Sequence, residues 1–293
     1  MKPKISIVFP THNGKFDTLK CLKSLSSLSY PSPQMEIIMV DNASSDSSIE
    51  TVKKKFPRVK IIPLEKNIGF AAAINKGITV SGGDYIFIIN NDMIFDKEFL
   101  TVLVESMERD SKLGIAGGKI YYQVPKDKIL FCGVKFNPWL GSIHRLSNPD
   151  QTKESEWIQG CAMLIKKTVV EKVGLFDEKF FFSFEDQDFC QRAKKAGFKI
   201  IYHPKAVAWH KEGATIDREG LQKKATELYK AKFYYLFKNC SLLQIITATL
   251  FQFLLIAPVR RLLFKNPPFF VRPMLTGFFY NLKHLPQIVR SRL

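Results

Sequence analysis

Apolar and polar residues alternate in blocks along the N-terminal part of the chain, and the blocks predict strands and helices in turn. Short apolar runs typical of buried strands occupy 5–10, 36–40, 59–63 and 85–89. The segments between them place apolar residues at helical intervals: Phe16, Leu19, Leu22, Leu25 and Leu28, then Ile49, Val52 and Phe56, then the small residues of 67–77. Strands that alternate with helices pair in parallel through right-handed crossovers. The pattern therefore predicts an α/β fold with a mostly parallel central sheet flanked by helices.

Polar residues follow these predicted strands directly. They are Thr11-His12-Asn13 after the first strand, Asp41-Asn42 after the second, and Asn90-Asn91-Asp92 after the fourth. Open α/β sheets bind ligands at the carboxyl ends of their strands, which makes these side chains candidates for a binding site. The oxygens of Asn90, Asn91 and Asp92 also suit a hard cation such as Mg²⁺ or Mn²⁺, while a solvated turn explains the same tripeptide equally well.

The following part of the chain is less regular. Residues 121–156 show no clear periodicity, which is typical of long loops that carry specificity. A further strand is predicted over 157–165, where Trp157 and Met163 favour core packing over contact with a ligand. Two more apolar runs, 200–204 and 206–210, predict strands, the second of which ends at His210.

Between those strands, residues 180–189 set three carboxylates among five phenylalanines. An apolar environment raises the proton affinity of a carboxylate and makes it a better general base near neutral pH. A second interpretation is that Asp186 is a helix N-cap, because apolar residues at helical spacing follow it and Gly197 fits a C-terminal cap. Acidic residues in the first turn of a helix also suit the helix dipole.

Composition places the chain among proteins with a full hydrophobic core. Its 293 residues, 46% of them hydrophobic, allow one large domain and an appendage. The five cysteines are scattered, with no C-x-x-C pair, which predicts reduced thiols in a cytoplasmic setting. The N-terminus lacks the apolar region and cleavage site of a signal peptide, which leads to the same expectation.

The net charge of +17 is concentrated toward the C-terminus, where no acidic residue follows Glu227. Residues 239–259 carry no charge and, as a helix, would reach across a bilayer core. A span would move the basic residues from Arg260 to Arg292 across the membrane, against the positive-inside rule, and Pro258 would end or bend the helix. We therefore expect this tail to lie in the plane of an anionic membrane surface. The alternative is that its helices pack on the rest of the protein or on a second subunit.

Five motifs together carry a resemblance to a known family. They are Pro10-Thr11-His12-Asn13, the segment 40–46 around Asp41, Asn67-x-Gly69, Asn90-Asn91-Asp92, and Glu185-Asp186-x-Asp188-x-Cys190-x-Arg192. In order and spacing they resemble the family 2 glycosyltransferases, in particular the rhamnosyltransferase-like members, from about Ile5 to His210. The resemblance implies a GT-A fold, inverting chemistry and a divalent metal, Mg²⁺ or Mn²⁺. Together with the charge and apolar pattern of the tail, it predicts a GT-A catalytic domain, 1–227, and a helical membrane-attachment region, 228–293.

The resemblance also implies roles for single residues. Asp186 matches the catalytic base, Glu185 the neighbouring acid that helps hold the acceptor, and Gly160 a position close to the acceptor and the transferred sugar. Asp92 and His210 match the metal ligands, whereas His203 is expected to be structural. The first acid of the family's D-x-D motif is Asn90 here, a neutral and weaker ligand. The implied nucleotide-sugar site consists of Pro10, Thr11, Asn13, Asp41, Asn67, Gly69, Asn90 and Asn91, with Asp41 accepting the imide N–H of a uracil or thymine.

The expected function is transfer of a sugar, with inversion, from a UDP- or dTDP-sugar to a hydroxyl of a lipid-linked or cell-surface glycan. A rhamnose-like donor fits the resemblance, and the expected location is the cytoplasmic face of the membrane. The alternatives are a polyprenyl-phosphate glycosyltransferase and a non-catalytic nucleotide-sugar-binding relative. A nucleic-acid-binding protein is disfavoured because the excess positive charge lies in the tail rather than on the motif-bearing domain.

Overall fold

The computed structural model describes residues 2–211, 220–256, 258 and 268–290. They form two compact units, each made of more than one stretch of chain. The first unit consists of Met1–Val134, Arg145–Lys179 and Glu185–Thr215, and the second of Lys135–His144, Phe180–Phe184 and Ile216–Leu293.

A ten-stranded sheet forms the centre of the first unit. Its strands are β1 (Ile5–Thr11), β2 (Met35–Asp41), β3 (Lys60–Pro63), β4 (Tyr85–Ile89), β5 (Met93–Phe95), β6 (Leu113–Tyr122), β7 (Ile129–Phe131), β10 (Lys153–Glu154), β11 (Ala162–Lys166) and β12 (Lys199–His210). Their order is β10-β12-β6-β11-β4-β1-β2-β3, with β5 paired to β12 and β7 to β6. The apolar run of β4 is buried at every position because the strand lies between β1 and β11.

Helices follow most of the strands, and those predicted around 16–28, 49–56, 67–77 and after Asp186 are present. The helices of this unit are α1 (Lys15–Leu25), α2 (Ser48–Lys55), α3 (Phe70–Thr79), α4 (Phe99–Glu108), α5 (Lys167–Val173) and α6 (Glu185–Lys195), with a 3-10 turn at Ser32–Gln34. Leu22 and Leu25 of α1 are buried as expected, whereas Phe16 is exposed and lies outside the apolar face. Gly197 ends the segment after α6 with φ of 92°, a conformation that glycine adopts without steric cost.

The sheet is mixed, and the prediction of a mostly parallel sheet is wrong for its second half. β1, β2, β3 and β4 pair in parallel, as does β12 with β6, but β11 is antiparallel to both β4 and β6. β5 and β10 are also antiparallel to β12, and β7 to β6. Alternation of strands with helices predicts parallel pairing, and this alternation stops after α4. The direction of the later strands in the sheet is therefore not determined by the pattern.

Two strand predictions also change. The strand predicted over 157–165 is shorter and is β11, so Trp157 and Gly160 lie in the preceding loop, while Trp157 and Met163 are buried as core residues. The strands predicted at 200–204 and 206–210 form one strand, β12, with a register shift against β6 between His203 and Val207. The segment 121–156 contains short strands rather than an uninterrupted loop.

The second unit is mainly helical. Its helices are α7 (Leu221–Asn239), α8 (Leu242–Phe251) followed by a π-helical turn at Gln252–Ile256, α9 (Pro268–Lys283) and α10 (Leu285–Arg290), and β8 (Val134–Asn137) pairs with β9 (Ser142–Arg145). Phe233 is fully buried and contacts the rings of Phe253 and Phe278. Helices α7 and α9 approach closely at Gly277, where an added Cβ would lie 2.7 Å from the Lys230 backbone nitrogen. An aromatic core therefore holds this unit together.

Within the described ranges, no helix has the length and hydrophobicity needed to cross a bilayer. The uncharged segment predicted in the tail extends to Val259, which lies outside the described residues, as do Arg260, Arg261, Lys265 and Arg292.

Candidate active site

The carboxyl ends of β1 and β2 lie side by side, because the parallel register sets Thr11 opposite Asp41. The backbone N–H of Asn42 donates to the Thr11 carbonyl oxygen at 2.7 Å. The loops that leave these two strands are joined further along by Asn13, whose side-chain oxygen accepts from the Ser45 N–H at 2.8 Å. The polar residues at the ends of these two neighbouring strands thus form one rim.

Asp41 carries an oxygen with an open hydrogen-bonding position at this rim. The side chain is 1% exposed, and its Oδ2 accepts from the Ser44 N–H at 2.9 Å. Its Oδ1 is buried and has no hydrogen-bond partner in the described part of the chain. A buried acceptor without a donor is costly unless a ligand supplies the N–H. This geometry suits an N–H donor of a bound ligand.

Asn42, one of the polar residues predicted at the strand ends, braces the neighbouring segment. Its Nδ2 donates to Asn67 Oδ1 at 3.0 Å and to the Gly69 carbonyl at 3.2 Å, and its Oδ1 accepts from the Ile68 N–H at 2.9 Å. Gly69 has φ of 86°, which explains the glycine before α3. The sequence shows Asn42 and Asn67 in two separate loops that follow strands. Nothing in the local pattern indicates that their side chains hydrogen-bond each other.

Thr11 and Asn91, both predicted to bind the nucleotide, have side chains that hydrogen-bond each other. Asn91 Nδ2 donates to the hydroxyls of Thr11 and Thr18 at 3.1 and 3.0 Å, and the two hydroxyls are 3.0 Å apart. Thr11 and Thr18 are buried. An added Cβ at Gly14 would lie 2.3 Å from Asn91 Nδ2. The first turn of α1 and the turn after β4 are therefore locked together by buried polar contacts.

Asp92 and His210 meet because β5 pairs with the end of β12, which sets His210 opposite Met93. Asp92 Oδ1 lies 3.0 Å from His210 Nε2, and Asn90 Nδ2 lies 3.1 Å from the same ring nitrogen. The backbone oxygen of Asp92 accepts from Gln123 Nε2 at 2.7 Å, which holds the turn in place. Three side chains named by the sequence reasoning thus converge on one point.

This cluster fits a cation that takes part of its ligands from elsewhere. Among the described residues, no group of three His, Cys, Asp or Glu side chains is placed to hold a metal. Asp92 Oδ1 is nevertheless buried and lies 3.0 Å from His210 Nε2, so a carboxylate oxygen and an imidazole are placed together. Two protein ligands with the neutral Asn90 amide suit a hard cation whose other ligands are oxygens of a diphosphate or water.

Asp186 lies in the first turn of α6, directly after two residues in the left-handed region. Ser183 and Phe184 have φ of 66° and 68°, a strained conformation for non-glycine residues that is concentrated at functional sites. The Gly160 N–H donates to Asp186 Oδ2 at 2.9 Å, and the Gln187 N–H donates to Oδ1 at 2.7 Å. The loop before β11 thereby orients the carboxylate.

Burial raises the pKa of Asp186 to about 6, against the lowering effect of the hydrogen bonds from Gly160 and Gln187. The pKa of the neighbouring Glu185 is raised well above its usual range by burial and then by the charge of Asp186. Glu185 Oε2 is buried and has no partner among the described residues. Two neighbouring carboxyl groups therefore have raised proton affinity, and one of them, Asp186, accepts from the Gly160 N–H.

Asp188, the third acid of this motif, has a structural role. It is fully buried and accepts from Arg192 Nε at 2.9 Å. Arg192 also donates to the Val173 carbonyl at 2.6 Å and to the Leu175 carbonyl at 2.9 Å. This ion pair fixes α6 to the chain that leaves α5, so that Asp186 is carried on a rigid helix.

Backbone contacts connect these parts into one site. The Asn90 N–H donates to the Cys161 carbonyl at 3.1 Å, which sets the Asp92 turn beside the Gly160 loop. Gly160 adjoins both Asp186 and Phe70, the first residue of α3. The predicted base, metal ligands and nucleotide-binding residues are therefore neighbours through the strand ends of one sheet.

Comparison with known proteins identifies the family. A family model described as Glycosyl transferase family 2 matches residues 6–174. The N-acetylglucosaminyl-diphospho-decaprenol L-rhamnosyltransferase of Mycobacterium tuberculosis is 23% identical over 223 residues, which are 67% of this chain and 73% of that protein.

Solved structures show the same fold. Staphylococcus aureus TarS 1-349 covers 99% of this chain and 83% of its own, with a TM-score of 0.63 and 16% identity. The mannosyltransferase PcManGT from Pyrobaculum calidifontis, solved with GDP-Man and Mn²⁺, covers 100% of this chain and 84% of its own, with a TM-score of 0.59 and 15% identity. Because the family model matches more than half of the chain, the protein belongs to glycosyl transferase family 2 and is a glycosyltransferase with a GT-A-like α/β fold and a mixed sheet.

Proposed function

We propose that this enzyme transfers a sugar, with inversion at the anomeric carbon, from a UDP- or dTDP-sugar to a hydroxyl of a lipid-linked or cell-surface glycan. The observation that carries the proposal is the Asp186 carboxylate, which the Gly160 N–H orients and whose pKa burial raises to about 6. Such a group is ionised at neutral pH and more basic than an ordinary aspartate, as a general base requires.

In the proposed reaction Asp186 takes the proton of the acceptor hydroxyl while that oxygen attacks the anomeric carbon. The bond from the anomeric carbon to the diphosphate breaks, and the nucleoside diphosphate leaves on the opposite side of the sugar. Glu185, buried and with a raised pKa, is suited to hold the acceptor through a hydrogen bond. The expected product has inverted stereochemistry because the attack and the departure occur on opposite faces.

The nucleotide would be held at the rim formed by β1 and β2. Asp41 Oδ1 is the buried oxygen without a partner, and it suits a pyrimidine imide N–H. Pro10 lies near the end of β1 and Asn13 in the turn that follows it, and Asn67 and Gly69 are tied to this rim by Asn42. The mannosyltransferase neighbour was solved with GDP-Man, so the binding test compares GDP with UDP and dTDP.

Asp92 and His210, with Asn90 beside them, would hold a divalent cation. Two solved neighbours support a divalent metal in this fold: the mannosyltransferase with GDP-Man and Mn²⁺, and GalNAc-T7 with UDP, GalNAc and Mn²⁺. When bound, such an ion stabilises negative charge on the departing diphosphate. The chain's own contribution is to place a carboxylate and an imidazole 3.0 Å apart at the end of β4.

Two observations support a lipid-linked acceptor and attachment of the enzyme to a membrane surface. The Mycobacterium tuberculosis relative is named for a diphospho-decaprenol acceptor and for rhamnosyl transfer. The second unit of this chain exposes the apolar side chains of Leu242, Leu243, Ile246, Leu250, Leu254 and Leu255, which we call the leucine stripe. A basic region with such a stripe suits the surface of an anionic membrane, and we propose the cytoplasmic face as the place of action.

The function is tested by measuring UDP binding with isothermal titration calorimetry, with and without MnCl₂. Asp41→Asn sets an N–H donor against the imide N–H and should weaken UDP about tenfold or more under both conditions. Asp92→Asn should weaken UDP only when MnCl₂ is present. The exposed Asp127 provides a matched control, Asp127→Asn, which should change neither value.

The outcomes separate the parts of the proposal. If Asp92→Asn weakens UDP equally with and without MnCl₂, the metal assignment is wrong. If the wild-type protein binds GDP rather than UDP or dTDP, the choice of nucleotide is wrong. Transfer to a phosphate group of a polyprenol instead of a sugar hydroxyl would identify the enzyme as a polyprenyl-phosphate glycosyltransferase.

A further inference from the structure

Phe70 lies against the two parts of the site that hold the catalytic carboxylate. Its ring carbons Cε1 and Cζ are 3.3 and 3.6 Å from the point where a Cβ of Gly160 would lie, and the Asp186 Cβ is 3.6 Å from the same point. The Gly160 N–H at this place donates to Asp186 Oδ2. A side chain at residue 160 would press on the ring and on the carboxylate, so the glycine allows both to approach.

Hydrogen bonds at the start of α3 connect the segment that carries Phe70 to the nucleotide rim. Asn42 accepts the Ile68 N–H at 2.9 Å and donates to the Gly69 carbonyl at 3.2 Å, and Asn42 follows Asp41 in the chain. The contacts therefore run from Asp41 through Asn42 and Gly69 to Phe70, and from Phe70 through Gly160 to Asp186. Phe70 occupies the middle of this series.

One side of Phe70 is not covered by the core. The residues that follow it in α3, including Ala71, Ala73 and Ile74, are fully buried, whereas Phe70 is partly exposed. An aromatic ring left partly open beside a catalytic carboxylate offers an apolar face to whatever binds there.

We propose that Phe70 is a specificity-determining residue whose ring supports the apolar face of the transferred sugar. This inference rests on the proposed function, because a nucleotide sugar that spans Asp41 and Asp186 must place its sugar between them. The flat ring favours a pyranose that presents C–H groups, and above all a 6-deoxyhexose whose methyl group adds apolar surface. A sugar that presents hydroxyls to the ring would leave them without hydrogen-bond partners.

The test compares binding of a nucleotide with binding of the corresponding nucleotide sugar by calorimetry, for UDP with UDP-GlcNAc and for dTDP with dTDP-L-rhamnose. Phe70→Leu should leave UDP and dTDP affinity unchanged within about twofold. It should weaken dTDP-L-rhamnose about three- to tenfold, the loss expected for one aromatic contact. Phe70→Tyr keeps the ring and should retain most of the affinity for the sugar nucleotide.

Two further variants make the comparison specific. Phe16→Leu removes an exposed aromatic side chain from α1 and is the matched control, which should change neither affinity. Gly160→Ala adds a methyl group at the contact with Phe70 and should weaken the nucleotide sugar while sparing the free nucleotide.

The possible failures are distinguishable. Equal weakening of free nucleotide and nucleotide sugar by Phe70→Leu would make Phe70 a structural brace of α3 and overturn the inference, as would no weakening of either. If the wild type binds UDP-GlcNAc more tightly than dTDP-L-rhamnose, and Phe70→Leu removes this difference, Phe70 contacts the sugar but the 6-deoxyhexose preference is wrong. A wild-type protein that binds no nucleotide would overturn the proposed function and this inference with it.

Discussion

At the scale of the residue, Asp186 is subject to two opposing effects. Burial favours its protonated form, while the N–H groups of Gly160 and Gln187 favour the carboxylate, and the result is a pKa of about 6. A group of this kind is a stronger base than an ordinary aspartate and still loses its proton below neutral pH. Its desolvation also costs stability once it is ionised, so activity and stability should respond to pH in opposite directions.

The kinetic prediction concerns the pH profile of kcat/KM. If Asp186 is the base, kcat/KM should rise about tenfold per pH unit up to pH about 6 and then level, since the ionised form is the active one. Asp186→Asn should lower turnover about 10²- to 10⁴-fold. A variant that keeps more than about a tenth of wild-type turnover would assign the base to Glu185, because Asp188 is occupied by Arg192.

The stability prediction follows from the same raised pKa. The folded protein holds the Asp186 proton more tightly than the unfolded chain, whose aspartates titrate near 3.8. The favourable contribution is therefore complete below that value and is lost as pH rises to about 6. Tm of the wild type relative to Asp186→Asn should fall across this window. Asp127→Asn, at an exposed site, should show no such change. A constant difference would contradict the raised pKa.

At the scale of the element, α1 and the turn after β4 act as one piece because Asn91 joins them. Its amide is shared by Thr11 on β1 and Thr18 on α1, and Gly14 leaves room for it. The same turn carries Asn90 and Asp92 on either side of Asn91. A displacement of the amide should therefore be felt at the Asp92 and His210 pair.

Thr18→Val should lower Tm and weaken the MnCl₂-dependent part of UDP binding, because the half-buried Asn91 amide loses an acceptor, a loss of about 0.5–1.5 kcal/mol. Thr18→Ser keeps the hydroxyl and should restore both quantities. Gly14→Ala should resemble Thr18→Val through steric displacement of Asn91. The matched control is Thr51→Val, since the Thr51 hydroxyl donates only to the Ser47 carbonyl of its own helix. Loss of Tm without any change in MnCl₂-dependent binding would limit the network to folding.

At the scale of the whole molecule, the second unit combines an apolar surface with positive charge. The leucine stripe runs along α8 and the π-helical turn, with Leu242 72% and Leu254 66% exposed. No acidic side chain follows Glu227, so residues 228–293 of this unit carry basic side chains alone among their charges. Exposing this many apolar side chains to water is unfavourable in free energy, and their burial in a membrane interface is favourable.

The prediction is co-flotation of the full-length protein with vesicles that contain phosphatidylglycerol and weaker flotation with phosphatidylcholine alone, because each nearby basic residue contributes about 1 kcal/mol on an anionic surface. Replacing Ile246, Leu250 and Leu254 together by serine should reduce binding at least about tenfold. Val124→Ser removes an exposed apolar side chain from the first unit and should not reduce binding. If the triple variant binds vesicles as well as the wild type does, the membrane assignment of the leucine stripe is wrong. If the wild type is a dimer on analytical ultracentrifugation and the triple variant is a monomer, the stripe packs on a second subunit instead.

The sequence alone determined those elements whose signal is local. The apolar runs of β1, β2 and β4 and the helical spacing of α1, α2 and α6 depend on residues a few positions apart, and the predicted elements are present. Motif order was sufficient for the family, which the family model confirms over residues 6–174. The residues proposed for the base and the metal were also identified from their motifs, and the structure brings Asp92 to His210 and Gly160 to Asp186.

Only the tertiary structure decided what depends on partners distant in the chain. The direction of β11 in the sheet follows from its pairing with β4 and β6, which no local periodicity encodes. The hydrogen bonds of Asn91 to Thr11 and Thr18, and the open position at Asp41 Oδ1, arise from contacts between separate loops. The same holds for Phe70 beside Gly160 and for the raised pKa of Asp186, because burial is a property of the packed fold rather than of the residues next in sequence.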